Sequence, residues 1–122
     1  MNLFVYGTLM NPDVRKKLLG RTLASQAATL EGYAAIRTRA DFGNYPIAVP
    51  QQSSSMCGLF LSGLAENDFK KLDAYEGIGE QNCPYFRKIV RVRLENGQGA
   101  HASAYVGGKK PRPKLEWSVF DL

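Results

Sequence analysis

The feature that most constrains the fold is an alternating segment near the end of the chain that folds back on itself. Over residues 86–94 apolar side chains share one face and arginines the other, although two central residues break the strict pattern. Asn96-Gly97 is a strong turn signal, and the run from Ala100 to Val106 alternates again. The segment therefore predicts an antiparallel hairpin with one face turned toward a core.

The remaining chain carries many turn signals and two helical segments. Twelve glycines and six prolines in 122 residues favour short strands separated by turns. The first helix is punctuated at both ends, since Asn11 suits its cap, Pro12 its first position and Gly20 its end. A second helix begins after Gly63 and ends at Gly77. We therefore predict an α+β fold of about six strands and two helices.

The length of the chain indicates a single domain. A chain of 122 residues is too short for two well-buried cores. We predict one domain over residues 1–108, followed by a basic tail over residues 109–122. The tail opens with the stretch KKPRPK at 109–114, whose charges and prolines favour a surface position over a core element.

Composition argues against a disordered or membrane protein. Hydrophobic residues make up 44% of the chain and charged residues 22%, as in ordinary globular proteins. No apolar run approaches the ~20 residues that a spanning helix needs. The first residues lack the pattern of a secretory signal. We therefore expect a cytoplasmic protein that does not engage a membrane.

The sequence also disfavours a bound cofactor. Two cysteines and one histidine, with no CxxC or HxxxH spacing, are too few for a zinc or iron site. Phosphate-binding loops of the GxxxxGK[ST] or GxGxxG type are absent as well. We expect neither a metal nor a nucleotide cofactor.

Glu76 occupies a position in the second helix where the pattern predicts an apolar residue. Ala65, Phe69 and Leu72 lie at i, i+4 and i+7, and Glu76 continues their stripe. Burial and the negative end of the helix dipole both raise the pKa of a carboxyl group there, which suits general acid–base catalysis near neutral pH. The alternative is a solvated glutamate at a frayed helix end. Asp73, on a more polar face, is expected to face solvent.

Three motifs stand in order along residues 2–106. They are VYGTL at 5–9, GNYP at 43–46, and LDAYEG at 72–77 followed by YFR at 85–87. Together they resemble the γ-glutamylcyclotransferase-like family, with the AIG2-like and γ-glutamylamine cyclotransferase branches nearest in length. The resemblance implies a small mixed β-barrel flanked by two helices, with a pocket at one end. It also implies conversion of γ-glutamyl amines or amides to 5-oxoproline and a free amine.

The same resemblance implies roles for particular residues. Glu76 matches the catalytic glutamate of the family. The loop whose backbone amides hold the γ-glutamyl group is matched by Tyr6, Gly7, Thr8 and Leu9. Apart from the resemblance, Tyr45 and Tyr105 are candidates for lining the pocket; the alternative is that they pack in the barrel with their hydroxyl groups satisfied. The small side chains of Ala102-Ser103-Ala104 replace an aromatic-rich stretch of several members, and we expect them to open that side of the pocket.

The implied reaction needs little machinery. The substrate supplies its own nucleophile, so orientation alone lowers much of the barrier, with effective molarities of roughly 10⁵ M or more in favourable cases. One carboxylate can carry the proton from the α-amine to the leaving amine, and fixed N–H donors can hold the developing charge. Two polar loops, Gln51–Ser55 and Gly77–Pro84, are expected to contact the leaving amine.

Other residues and functions remain as alternatives. We expect Cys57 to be a buried small hydrophobe, Cys83 a free thiol, and His101 a surface or structural residue. A member of the family that has lost catalysis would only bind a γ-glutamyl-like ligand. The net charge of +5 and the arginine face of the hairpin also fit a small barrel that binds single-stranded nucleic acid, although no interleaved aromatic face supports that function.

Overall fold

The computed structural model describes residues 1–38, 46–81, 83–107 and 117–119. Its elements follow in the order β1 (Leu3–Val5), a 3-10 helix (Thr8–Met10), α1 (Pro12–Leu19), β2 (Ala24–Thr38), β3 (Pro46–Ser62), α2 (Glu66–Glu76), β4 (Phe86–Leu94), β5 (Gly99–Val106) and β6 (Trp117–Val119). Tyr45 and the basic stretch 109–114 lie outside the described residues. Within the described ranges, no helix has the length and apolar character needed to cross a membrane.

Five of the described strands close into a barrel. β3 pairs with β1, β1 with β5, β5 with β4 and β4 with β2, which returns to β3. The barrel is mixed because β1 and β5 run parallel, whereas the other pairs in the ring are antiparallel. β6 pairs with Ile36–Thr38 of β2, outside the ring. The predicted mixed barrel with two helices is confirmed, with five strands in the ring instead of about six. The domain boundary at residue 108 stays a prediction.

The alternation of side chains along β1 separates two cores. Phe4 points into the barrel, where it packs among small and branched residues of the other strands. Leu3 and Val5 point the other way and pack with Phe69 and Leu72 of α2, and with α1. Successive residues of a strand face opposite sides, so three residues of β1 join the barrel interior to the helical layer. This arrangement places the end of α2 beside the end of β1.

The two helices begin and end close to the residues that the sequence predicts, and their capping interactions explain these limits. The Asn11 side chain accepts a hydrogen bond from the Asp13 N–H at 2.8 Å, and Gly20 ends α1 with a φ of 80°. At the start of α2 the Asp68 carboxylate accepts from the Ala65 N–H at 2.7 Å and pairs with Arg21. This guanidinium holds the pKa of Asp68 at about 2, well below its usual value.

The β4–β5 hairpin is confirmed, and its loop sets the register. The Leu94 N–H donates to the Gln98 carbonyl at 2.8 Å, so three residues form the loop, with Gly97 at a φ of 87°. Such loops carry a left-handed third residue, which glycine adopts without strain. This register places Arg87 directly opposite Tyr105.

The expectation of a polar loop at Gln51–Ser55 is wrong. These residues belong to the continuous strand β3, which pairs with β2 through a register shift between Glu31 and Tyr33. Residues 51–54 bulge out opposite Gly32 without a paired residue on β2, and Ser53 has a φ of 68°. Most of the segment is exposed, which accounts for its polarity. The neighbouring Cys57 is also exposed, so the expectation that it is buried is wrong.

Candidate active site

A cavity of about 700 Å³ opens where β1 and β5 end and β4 begins. These ends meet because β1 and β5 are parallel while β4 runs antiparallel to β5. The C-terminus of α2 and the loop after it complete the wall. The described lining residues are Phe4, Val5, Tyr6, Gly7, Thr8, Leu9, Pro46, Ala74, Tyr75, Glu76, Gly77, Glu80, Gln81, Cys83, Pro84, Tyr85 and Tyr105.

Glu76 is the last residue of α2 and is half-buried in the wall of this cavity. Burial raises the pKa of its carboxyl group from 4.5 to about 7. No described residue donates a hydrogen bond to this carboxylate, so within the described residues no donor offsets the cost of removing the charge from water. Gly77, with a φ of 77°, then turns the chain away from the helix axis. The result is a carboxyl group that exchanges a proton readily near neutral pH.

The turn after β1 forms another part of the cavity wall. The 3-10 helix begins with a hydrogen bond from the Met10 N–H to the Gly7 carbonyl at 3.0 Å. The preceding N–H groups, those of Gly7, Thr8 and Leu9, therefore have no partner within that helix. All three residues line the cavity with Glu76. The structure thus brings the predicted loop and the predicted glutamate together in one site.

The Tyr6 side chain lines the cavity, and its hydroxyl group joins three strands of the barrel. The hydroxyl donates to the Tyr105 carbonyl at 2.5 Å and accepts from the Ala48 N–H at 3.0 Å, so it joins β1, β5 and β3. Burial raises the pKa of this phenol well above its usual value, and it therefore stays protonated. The side chain of Tyr6 supports the barrel, while its backbone continues into the binding turn.

Tyr105 lines the cavity and binds Asp73 of α2. The Tyr105 hydroxyl donates to Asp73 Oδ1 at 2.6 Å, and Arg87 Nη1 lies 3.1 Å from both carboxylate oxygens. Asp73 therefore contacts β4 and β5 while 32% of its side chain stays exposed, so the expectation that it faces solvent holds only in part. A hydrogen bond to a charged group contributes ~1.5–3 kcal/mol net, whereas an ion pair near the surface contributes ~0–1 kcal/mol. The tyrosine is thus the stronger of the two partners.

The other residues and segments that the sequence singles out lie in different parts of the structure. Cys83 lines the cavity, and its thiol contacts the Glu76 carbonyl at 3.4 Å. His101 is exposed on β5, as expected.

Of the two segments expected to contact the leaving amine, Gly77–Pro84 contributes to the wall, while the described lining includes nothing from Gln51–Ser55. Ala102 and Ala104 lie in the barrel core instead of the cavity, so they do not open it. Among the described residues, no cluster of acidic, histidine or cysteine side chains is arranged to hold a metal ion.

Comparison with known proteins identifies the family. The model of the family described as "Gamma-glutamyl cyclotransferase, AIG2-like" matches residues 3–119. This chain belongs to that family. AIG2-like protein A of Arabidopsis thaliana is 32% identical over 120 residues, which cover 96% of this chain and 68% of that protein. The family resemblance of the three motifs is thereby confirmed.

Two solved structures share this fold. The solution structure of an Arabidopsis thaliana protein superposes with a TM-score of 0.77 at 32% identity, covering 92% of this chain and 71% of that one. A gamma-glutamyl cyclotransferase superposes with a TM-score of 0.78 at 12% identity, covering 98% and 69%. The second similarity concerns the fold alone. The AIG2-like chain described here spans about two thirds of the length of each. Family membership supports a cyclotransferase-like function for it.

Proposed function

We propose that this protein is a γ-glutamyl cyclotransferase that converts a γ-glutamyl amine or amide into 5-oxoproline and a free amine. The observation that carries the proposal is the half-buried Glu76 carboxyl, whose pKa is about 7, in one cavity with the turn after β1. A single group of that pKa can act as a base in one step and as an acid in the next. The family of the chain supports the same reaction class.

In the first step, ring closure, the α-amino nitrogen of the substrate attacks its own γ-carbonyl carbon. Glu76 accepts a proton from that nitrogen as the new C–N bond forms, and the carbonyl oxygen becomes an oxyanion. The reaction is intramolecular, so the cavity has only to hold the substrate in a folded conformation. A cavity of about 700 Å³ can enclose a small γ-glutamyl compound of this kind.

In the second step the tetrahedral intermediate collapses. The carbonyl double bond reforms, the bond to the leaving amine breaks, and Glu76 returns its proton to the departing nitrogen. No proton is gained or lost over the cycle, and the carboxylate is regenerated. The N–H groups of Gly7, Thr8 and Leu9 are the donors that we assign to the charged oxygens of the substrate. Tyr45 stays a candidate for the same pocket.

A panel of γ-glutamyl compounds tests the proposal. The purified protein is incubated with γ-glutamyl amino acids, glutathione and γ-glutamyl alkylamines, and 5-oxoproline is followed by mass spectrometry. We expect enzyme-dependent release of 5-oxoproline and an equal amount of free amine from at least one compound. Saturable binding of the panel without release would favour a non-catalytic binding protein and contradict the proposed reaction. If the protein neither binds nor converts any compound of the panel, both the proposed reaction and the non-catalytic binding function are contradicted. The cytoplasmic location also stays a prediction.

A further inference from the structure

A hydrogen-bonded group beside the cavity has no part in the proposed proton transfer. It consists of Asp73 on α2, Arg87 on β4 and Tyr105 on β5. The Tyr105 phenol is almost completely buried, with 4% of the residue exposed, and donates to Asp73 at 2.6 Å. Arg87 lies opposite Tyr105 in the hairpin and approaches the same carboxylate from the other strand. Two neighbouring strands of the barrel therefore hold one residue of the helix.

Arg87 contacts α2 at a second point, one turn earlier. Its guanidinium carbon lies 4.8 Å from the centre of the Phe69 ring. A guanidinium over an aromatic face is attracted to it as well as packed against it. Phe69 and Asp73 are four residues apart and lie on the same side of the helix. The strands thus hold the final turns of α2 in one orientation.

The group lies close in sequence to Glu76. Asp73 precedes Glu76 by three residues, and its carbonyl accepts the Ile78 N–H at 2.9 Å, which closes the end of the helix around Glu76 and Gly77. The Glu76 carboxylate has no described hydrogen-bond donor of its own. Within the described residues, its location in the cavity is set by the contacts of the last turn of α2, among them the Thr8–Tyr75 hydroxyl pair at 2.8 Å.

We propose that Asp73 and Tyr105 are positioning residues, whose hydrogen bond holds the last turn of α2 against β5 and keeps the Glu76 carboxylate in the cavity. The inference rests on the proposed function for its catalytic meaning. Tyr105 is the more important partner, because a hydrogen bond from a buried phenol to a carboxylate is worth more than a half-exposed ion pair. Loss of this bond loosens the last turn of α2, which keeps the Thr8–Tyr75 hydroxyl pair at 2.8 Å and the Cys83 thiol on the Glu76 carbonyl. The half-buried Glu76 carboxylate then becomes more hydrated.

The protonation of Glu76 reports this change directly. The other ionisable groups that line the cavity are Tyr6, Tyr75, Glu80, Cys83, Tyr85 and Tyr105. Replacing Tyr105 by Phe removes one hydroxyl group and no charge, so the electrostatic field at Glu76 changes little. A shift in the pKa of Glu76 then measures its hydration and position.

The experiment is a carbon-detected NMR titration of the glutamate carboxyl groups in the full chain, without substrate. The signal of Glu76 is identified by its loss in Glu76→Gln. We expect the pKa of Glu76 in Tyr105→Phe to fall by about one unit toward its ordinary value. Asp73→Asn should shift it in the same direction, because that change also removes a negative charge. With an active substrate, kcat of Tyr105→Phe should fall roughly tenfold because the base is misplaced.

Asp68→Asn is the matched control. It breaks a comparable aspartate–arginine pair at the opposite end of α2, away from the cavity. We expect it to lower the melting temperature while leaving the pKa of Glu76 and the kcat unchanged. The proposal is overturned by an unshifted Glu76 titration in folded Tyr105→Phe, or by an equal shift in Asp68→Asn. The titration needs no turnover, so absence of activity in the wild type would count against the proposed function alone.

Discussion

At the scale of single residues, the protonation of Glu76 is the property on which the chemistry depends. Its carboxyl group stands at the end of a helix, half-buried and without a described donor, and burial raises its pKa to about 7. The charged and neutral forms are then similarly populated at neutral pH, as a group that accepts and returns a proton requires. An exposed glutamate would be almost entirely ionised there and a poor acid.

The pH dependence of activity and of stability should reflect this pKa. Glu76 must be ionised to accept a proton, so kcat/KM should rise with pH through about 7. Folding stability should change in the opposite direction. Between 4.5 and about 7 the folded protein holds a proton that the unfolded chain has released, so the free energy of unfolding falls as pH rises and levels off above 7.

Rate profiles and urea unfolding between pH 4 and 9 check this prediction. Glu76→Gln is the control, because it lacks the group and should lose this part of the pH dependence of stability. A kcat/KM profile that is already flat from pH 5 upward would show that Glu76 titrates as an ordinary solvated carboxyl group.

The sequence identifies Glu76 but not its surroundings. The apolar stripe of the second helix and the family motif both single out this residue. Asp73 has no such signal, because its partners Arg87 and Tyr105 lie 14 and 32 residues away along the chain. A polar residue on a helix surface looks solvated until the strands packed against it are known.

At the scale of secondary structure elements, close contact between strands positions the cavity. A Cβ atom on Gly58 of β3 would lie 2.3 Å from the Val5 carbonyl oxygen and 2.7 Å from the Phe4 ring. Only a residue without a side chain lets β1 approach β3 this closely. The turn that follows β1 therefore depends on Gly58 for its place in the cavity wall.

Gly58→Ala should be strongly destabilising. The added methyl group has no space against backbone and an aromatic ring, and we expect a loss of ~1–3 kcal/mol or more in the free energy of unfolding. Urea denaturation provides the measurement. Cys57→Ala, an exposed change at the preceding residue, should leave the stability within about 0.5 kcal/mol. Equal stabilities for the two variants would show that β1 does not pack on β3 as described.

The elements themselves were largely predictable, whereas their registers were not. Both helices and the β4–β5 hairpin follow from caps, turns and alternation. A two-residue loop at Asn96-Gly97 would have paired Arg87 with Val106, but the three-residue loop pairs it with Tyr105. The polar run in β3 has the composition of a loop because residues 51–54 form an exposed bulge within the strand, without partners on β2.

At the scale of the whole molecule, closure of the barrel assembles the site. Glu76, the turn after β1 and Tyr105 come from parts of the chain up to about one hundred residues apart, and they meet at one end of the ring. Their convergence could not be derived from periodicity or composition, since β1 has a parallel neighbour from near the end of the described chain. The resemblance to the family supplied this part of the prediction.

The most direct test of the account is the turnover of Glu76→Gln on a γ-glutamyl compound that the wild type cleaves. Glutamine keeps the size of the side chain but cannot accept the proton. We expect kcat for 5-oxoproline release to fall by roughly 10²- to 10⁴-fold, with substrate binding retained because the backbone donors of the turn after β1 are untouched. Glu66→Gln, an exposed change at the other end of α2, should keep the wild-type rate. Wild-type turnover by Glu76→Gln would contradict the central role given to this residue.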